Sequence, residues 1–338
     1  MTTHPTLLTP EQTQSYLANR FVLSETTLAI EVARACNLRC PGCWVRISRK
    51  DVWARPTHGL MSDTLLDQAL AFGRNANIHN VSLLGGEPTL HPDLPTIIQR
   101  ARRRGYEKTS VTTNGILPRP RLRSILHSGL TNITFSVDGS SRLSHDRLRP
   151  SQNGRSTFHT LLASLALAVQ ESERSGCGVT VNTTVYPDNI DDIKSICKMV
   201  AGMGVRRIRL HFSVPGDKDI ERYGYITPER WIRLVREAGD LSRSLQCEIQ
   251  VPRVYGGQAV QRCVASRSPY LTVQPDGTLL ACAAYARLAD PHRRRFGVLV
   301  DEKRIGLFDR CQPETEEVAN GCCGAVPLLV AGLPPTIQ

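Results

Sequence analysis

Apolar positions along the first two-thirds of this chain follow two alternating periods. Short β-rich runs at about 28–34, 80–84, 108–112, 131–137, 178–185 and 205–211 predict strands. Between them, apolar residues recurring three and four apart predict helices over about 62–76, 94–104, 119–127, 156–174 and 189–203. Ser62, followed by Asp63, and Asp188, before Asn189, have the side chains that cap helix starts. Gly105, Gly129, Gly176 and Gly204 fall near helix ends, where left-handed backbone is needed.

Repeated strand–helix units argue for a parallel sheet with right-handed crossovers. Six such units are too few to close an eight-stranded barrel. The expected fold is therefore α/β, a partial (β/α)6 TIM-like barrel with its function at the C-terminal ends of the strands. After residue 212 the pattern changes. Thr227 and Pro228 open one more helix, to about 244, and residues 269–281 read as a hairpin around Pro275-Asp276-Gly277. The chain divides into an N-terminal segment (1–26), the partial barrel (27–212), a connecting helix region (213–255) and a small C-terminal hairpin and helix extension (256–338).

With 338 residues, 41% of them hydrophobic, the chain can bury a large core. No apolar run reaches membrane-span length, and Met1 to Pro5 lack the features of a secretory signal. A cytoplasmic location is expected, and thiols stay reduced there. The eleven cysteines then point to metal or cluster ligation rather than disulfides. The net charge of +11 favours anionic partners. Aromatic residues make up only 5%, with no stacking platform, so nucleic acid is an unfavoured partner.

Cys36, Cys40 and Cys43 follow the first predicted strand. A structural zinc site wants four ligands in paired C-x2-C spacing, and no His or fourth Cys lies within 36–50. Three thiolates would instead leave one corner of an iron–sulfur cube open. Gly85-Gly86-Glu87-Pro88 follows the second strand, with glycines that permit close backbone approach. Polar groups close the later strands: Asn114 after the third, Ser136 and Asp138 after the fourth with Arg149 beyond, and Asn182 and Thr184 on the fifth.

The C-x3-C-x2-C spacing, the Gly-Gly-Glu-Pro string and the ordered strand-end polar residues together resemble the radical S-adenosylmethionine (radical SAM) enzymes. That resemblance implies a [4Fe–4S] cluster on Cys36, Cys40 and Cys43. S-adenosylmethionine would lie against Gly85, Gly86, Glu87 and Pro88, with its amino group at Glu87. Ser136, Asn182 and Thr184 would hold its ribose or carboxylate, Arg149 its carboxylate, and Asn114 and Asp138 would line the same site. Asp138 can alternatively cap a turn with Gly139.

Cys263 and Cys282, in C-x13-G-x4-C spacing across the hairpin, resemble the opening of SPASM and twitch extensions. This implies one auxiliary [4Fe–4S] cluster, with Cys311 and one of Cys322 and Cys323 as further ligands. The family activity is reductive cleavage of S-adenosylmethionine to a 5′-deoxyadenosyl radical, which abstracts a substrate hydrogen. An auxiliary cluster would favour oxidation, meaning dehydrogenation or bond formation. The alternative is redox-neutral epimerisation, with Cys177, Cys247 or the spare vicinal Cys as hydrogen donor. A more distant alternative is a non-catalytic iron–sulfur or nucleic-acid-binding protein.

About 27 residues precede the first strand, fewer than the leader-binding domain of many peptide-modifying members. The expected substrate is a small, anionic biosynthetic intermediate (a sugar, nucleoside or amino-acid-like compound), with a short peptide as the other option. Flavodoxin or ferredoxin would donate the electron. His211, Tyr223, Tyr225 and Tyr255 are further candidates near the barrel mouth, and Cys197 reads as a core thiol.

Overall fold

A computed structural model of the protein describes residues 5–43, 59–212, 226–252, 270–280 and 295–308. The six expected strands are β2 (Thr27–Ala33), β3 (Asn80–Gly85), β4 (Lys108–Thr113), β5 (Asn132–Ser136), β6 (Gly178–Val185) and β7 (Arg207–Phe212). They pair in sequence order, all parallel. The sheet continues past both ends of this set. β8 (Glu248–Gln250) adds to β7, and β9 (Tyr270–Val273) adds to β2, both parallel. β10 (Thr278–Leu280), β11 (Arg295–Leu299), β12 (Ile305–Leu307) and β1 (Thr6–Leu7) extend the β9 side antiparallel. The expected hairpin is thus β9–β10, turned by Gly277 at φ +82°, and it joins the main sheet. Among the described residues the sheet is open, with β1 and β8 as its edges.

The helices are α1 (Pro10–Arg20), α2 (Asp63–Asn75), α3 (Leu94–Arg103), α4 (Arg119–Leu126), α5 (Arg142–Leu148), α6 (Phe158–Ser175), α7 (Ile193–Gly202) and α8 (Pro228–Leu245). Ser62 caps α2 by accepting from Leu65 N, and Thr227 caps α8 by accepting from Arg230 N. Gly176 ends α6 in left-handed backbone. Asp188 does not cap a helix. A 3-10 turn at Ile190–Asp192 intervenes, and α7 starts at Ile193; Asp192, in its N-cap position, makes no cap hydrogen bond and instead accepts from Ser140. The sequence pattern passed over α1 because only Thr13 and Leu17 on it are fully buried, too few to mark an apolar stripe.

The two faces of the sheet differ in chemistry. Val81, Leu83, Val111, Ile133, Phe135, Val181, Ile208 and Leu210 are buried in the main apolar cluster, together with Leu66 and Leu70 of α2 and Ile97 and Ile98 of α3. Strand alternation sends their neighbours to the other, interior face. Register aligns polar residues there: Thr112 with Thr134, Ser136 with Asn182, Asn182 with Arg209, and Thr184 with His211. The hydrophobic effect holds the helices to one face and leaves the interior face free for polar work.

Candidate active site

The loop after β2 carries Cys36, Cys40 and Cys43, each half-buried and unbridged. Its shape is fixed from three sides. Arg39 N–H donates to Pro150 O at 2.9 Å and Gln152 N–H to Asn37 O at 3.1 Å, pinning the loop to the segment after α5. Asn37 Nδ2 donates to Ile116 O at 3.1 Å, and Asn114 Nδ2 to Asn37 Oδ1 at 2.6 Å, which ties the loop to the end of β4. Gly42 lies against the Tyr186 ring so closely that a Cβ there would sit 2.7 Å from it.

The thiols are electrostatically coupled. Burial, then Glu87, pushes the Cys36 thiol up, with Cys40 and Cys43 adding to the rise. Leu38 N–H donates to Cys36 Sγ at 3.4 Å and opposes it. Burial pushes Cys40 up to about 11, against the pull of the Arg149 guanidinium. Among the described residues, no three His, Cys, Asp or Glu side chains gather around a point one metal ion would fill. Three separate thiols on one loop suit a multi-iron cluster, one sulfur per iron, better than a single ion.

Gly85 and Gly86 are required first by the protein itself. Gly86 N–H donates to Ala33 O and Glu87 N–H to Ala35 O, both at 2.8 Å, so this turn rides on the strand exit leading to Cys36. A Cβ on Gly86 would lie 2.4 Å from the carbonyls of Arg34 and Ala35. One on Gly85, at φ +147°, would lie 2.1 Å from Ala33 O. Pro88 begins a 3-10 turn to Leu90.

Glu87 is buried and its carboxylate is spoken for. Oε1 accepts from Thr89 N (3.1 Å), Thr89 Oγ1 (2.6 Å) and Thr113 Oγ1 (2.7 Å), and Oε2 accepts from Asn114 N (2.8 Å). Burial pushes its pKa up while these donors restrain it. The side chain therefore braces β3 against β4.

Asp138 and Arg149 form a second buried unit. Asp138 Oδ2 accepts from Arg149 Nε at 2.6 Å and Oδ1 accepts from Thr184 N at 2.7 Å. Asn189 Nδ2 donates to the carbonyls of Asp138 and Thr184, both at 2.9 Å. His145 Nδ1 accepts from Asp138 N at 3.3 Å. Burial alone would lower the Arg149 pKa, but Asp138 and then Cys40, with smaller contributions beyond them, outweigh it and raise it, so a fixed cation stands beside the cysteine loop. That cation suits a carboxylate ligand.

Asn182 Oδ1 is buried with no hydrogen-bond partner and shares the interior face with Ser136. An orphaned acceptor at a strand end is suited to a ligand hydroxyl. Arg149, Asn182, the Gly85–Gly86 turn and the three thiols all lie at the C-terminal ends of β2 to β6 or in the loops that follow them. Their donor chemistry fits a cluster and an amino-acid-bearing nucleoside.

Other expected residues lie elsewhere. Cys177 and Cys247 precede β6 and β8, at the strand ends opposite the cysteine loop, and both are buried. Burial pushes Cys177 up to about 12. The fold does not bring either thiol to the site. Cys197 is a buried core residue of α7. His211 sits at the far end of the interior row, its pKa lowered by burial and then by Arg209. Cys263, Cys282, Cys311, Cys322, Cys323, Tyr223, Tyr225 and Tyr255 lie outside the described residues.

Asn37, Asn189 and Tyr186 were not legible as site residues. Only the position of Asn37 inside the cysteine loop marked it. α5 was missed as a helix because its seven residues bury only His145 and Leu148.

GTP 3′,8-cyclase from Aquifex aeolicus is 28% identical over 181 residues, 53% of this chain and 53% of that protein. PqqA peptide cyclase from Ruegeria pomeroyi is 26% identical over 276 residues, 75% of this chain and 66% of that protein. The chain thus spans about half to two-thirds of the length of these curated relatives. Among solved structures, anSMEcpe with bound AdoMet matches at TM-score 0.64 and 18% identity, over 82% of this chain and 78% of that one. Streptococcus suis SuiB bound to precursor peptide SuiA matches at TM-score 0.61 and 16% identity, over 80% of this chain and 62% of that one. Both structural likenesses concern the open barrel fold. The family model described as the Radical SAM superfamily matches residues 30–200, half of the chain, from β2 through the cysteine loop to α7, and the protein belongs to that superfamily.

Proposed function

We propose that this protein is a radical S-adenosylmethionine enzyme that oxidises a small biosynthetic intermediate by removing a C–H hydrogen and forming a new bond. The observation that carries this reading is the meeting of three thiols, the Gly85–Gly86 turn and the Arg149 cation at one end of the sheet. Cys36, Cys40 and Cys43 would hold a [4Fe–4S] cluster, and Arg149 the carboxylate of S-adenosylmethionine. The Gly85–Glu87 backbone would hold its amino group and Asn182 its ribose. Bound there, cluster and cofactor would supply reductive C5′–S cleavage and the power to remove a hydrogen atom from the substrate.

The protein's own part is orientation. Glu87 and Asn114 fix the turn and the loop relative to each other, and Asp138 holds the Arg149 fork in one direction. Closing the new bond from the substrate radical also breaks an X–H bond at the partner atom, whose proton leaves to solvent, and needs an acceptor for one electron. We assign that role to an auxiliary [4Fe–4S] cluster on Cys263, Cys282, Cys311 and one of Cys322 and Cys323. Two observations support bond formation over epimerisation. Two relatives are named as cyclases, and Cys177 and Cys247 stand at the wrong strand ends to donate hydrogen. The substrate is taken as a small molecule, with a peptide as the alternative; the named relatives include one of each.

The test is anaerobic reconstitution with iron and sulfide, reduction, and chromatographic measurement of 5′-deoxyadenosine. Cleavage that disappears in Cys40→Ala is expected. A fully loaded, reduced protein that forms no 5′-deoxyadenosine overturns the reading. Iron and sulfide analysis of Cys263→Ala tests the auxiliary cluster. An unchanged iron content would remove it.

A further inference from the structure

Strand β7 alternates basic and apolar residues, Arg207-Ile208-Arg209-Leu210-His211. Ile208 and Leu210 belong to the apolar cluster under the helices, so alternation turns Arg207, Arg209 and His211 to the interior face. Arg209 is half-buried and His211 keeps contact with solvent, so a ligand can reach both. None of the site interactions above uses either side chain.

The edge strand β8 treats the two arginines differently. Register sets Arg207 beside Glu248 and Arg209 beside Gln250. Arg207 Nε donates to Glu248 Oε2 at 2.8 Å, an ion pair. Arg209 Nε donates at 3.1 Å to Gln250 Oε1, which is neutral. Glu248 is already engaged, because it also accepts from Gln250 Nε2 at 2.6 Å. Among the described residues no carboxylate stands within ion-pair distance of Arg209, and its two Nη groups make no hydrogen bond. The amide therefore steers the guanidinium without neutralising it.

The place of these residues fits a ligand. Arg209 pairs in register with Asn182, and His211 with Thr184. Both stand one strand, about 4.8 Å, beyond residues of the candidate cofactor site. Thr184 N–H donates to Asp138 Oδ1, and Asp138 Oδ2 holds Arg149. Burial first, then the Arg209 charge, lowers the His211 pKa, against Asp138, so His211 lies within range of both charges. The Asp138 charge is met by Arg149, and Ser136, Asn182 and Thr184 are neutral. The potential over this stretch of the interior face is therefore positive.

We propose that Arg209 and His211 form a substrate subsite for an oxyanion, a phosphate or a carboxylate carried by the substrate. The two Nη groups offer parallel N–H donors to such a group, and the imidazole N–H offers a third. The inference rests on the reading that substrate meets the cofactor on the interior face of the sheet. It narrows the substrate to a compound bearing an oxyanion.

Radiolabelled inorganic phosphate serves as the probe, in equilibrium dialysis against the cluster-loaded full chain with S-adenosylmethionine present and ionic strength held constant. Saturable binding is expected, weakened about tenfold in Arg209→Gln and by a smaller factor in His211→Gln. Gln250→Glu sets a carboxylate on the Arg209 fork and should weaken phosphate about as much. An arginine with only a structural role would lose no phosphate binding in that variant. No saturable binding in the wild type, or equal affinities in wild type and Arg209→Gln, overturns the subsite. If Arg209→Gln does not fold, Gln250→Glu is dialysed instead, and an unchanged affinity has the same meaning. Displacement of phosphate by acetate supports a carboxylate-bearing substrate, and retention of phosphate against acetate supports a phosphate-bearing one. Measuring 5′-deoxyadenosine on the same samples separates the two readings. Cleavage without phosphate binding sinks the subsite alone, and phosphate binding without cleavage sinks the radical reading alone.

Discussion

Arg149 donates from Nε to Asp138 Oδ2 at 2.6 Å, and both side chains are largely buried at the mouth of the sheet. Arg149 follows Asp138 by eleven positions, with α5 between them, so the helix acts as the spacer that returns the guanidinium to the strand end. Removing one member of a buried pair leaves an uncompensated charge. Asp138→Ala should therefore cost about 3–5 kcal/mol in a urea titration. Arg149→Lys keeps the charge but loses the fork, and should weaken S-adenosylmethionine binding about tenfold by equilibrium dialysis. Unchanged affinity would remove Arg149 from the cofactor site.

The glycine turn gives a steric prediction. Gly86→Ala puts a methyl group 2.4 Å from two backbone carbonyls that have no room to retreat. Overpacking of this kind costs about 1–3 kcal/mol. It should also push the turn off the cysteine-loop exit, so that S-adenosylmethionine affinity falls more than stability does. A variant with wild-type affinity would show that the close approach is not needed.

Asn114 links the cysteine loop to β4 through Asn37, and its amide also lies 4.0 Å from Cys36 Sγ. Asn114→Ala should loosen the loop and reduce iron affinity about tenfold, as loss of an outer-shell partner commonly does. Competition with a chelator, followed by iron absorbance, measures this. Equal iron retention in variant and wild type would contradict it.

His145 gives a pH dependence. Burial first, then the Arg149 charge, lowers its pKa to about 4, against Asp138 and Asp146. The folded protein thus keeps His145 neutral while the unfolded chain protonates it below its usual value of 6.5. The folded state binds fewer protons in that window, so stability is full above pH 6.5 and falls as pH drops towards 4. The loss from this group amounts to about 3 kcal/mol. His145→Gln, which keeps an acceptor for Asp138 N–H, should flatten the stability curve between these limits. A variant curve parallel to the wild type would assign the loss to other groups.

Much of the fold could be read from local pattern. The six central strands carry period-2 or continuous apolar runs, and Ser62 and Thr227 cap the helices where their side chains predicted. α1 escaped because it buries little, and β8, β11 and β12 because three to five residues carry too little periodicity. The site was half legible. The cysteine loop and the Gly-Gly-Glu-Pro turn stand out by spacing. The role of Glu87 did not: a carboxylate expected to face a ligand is filled by Thr89, Thr113 and Asn114.

The sequence alone determined the order of elements, the three thiols after β2 and the glycines that allow β3 to turn beneath them, because these depend on neighbours a few residues apart. Only the tertiary structure decided which distant groups meet. Asn37 finds Asn114 across 77 residues, Asp138 finds the Thr184 amide across 46, and Glu31 finds Gln274 across 243. Strand order and register set these pairings. A parallel sheet brings every strand's C-terminal end to one side whatever the length of chain between, and that geometry leaves no local trace in the sequence.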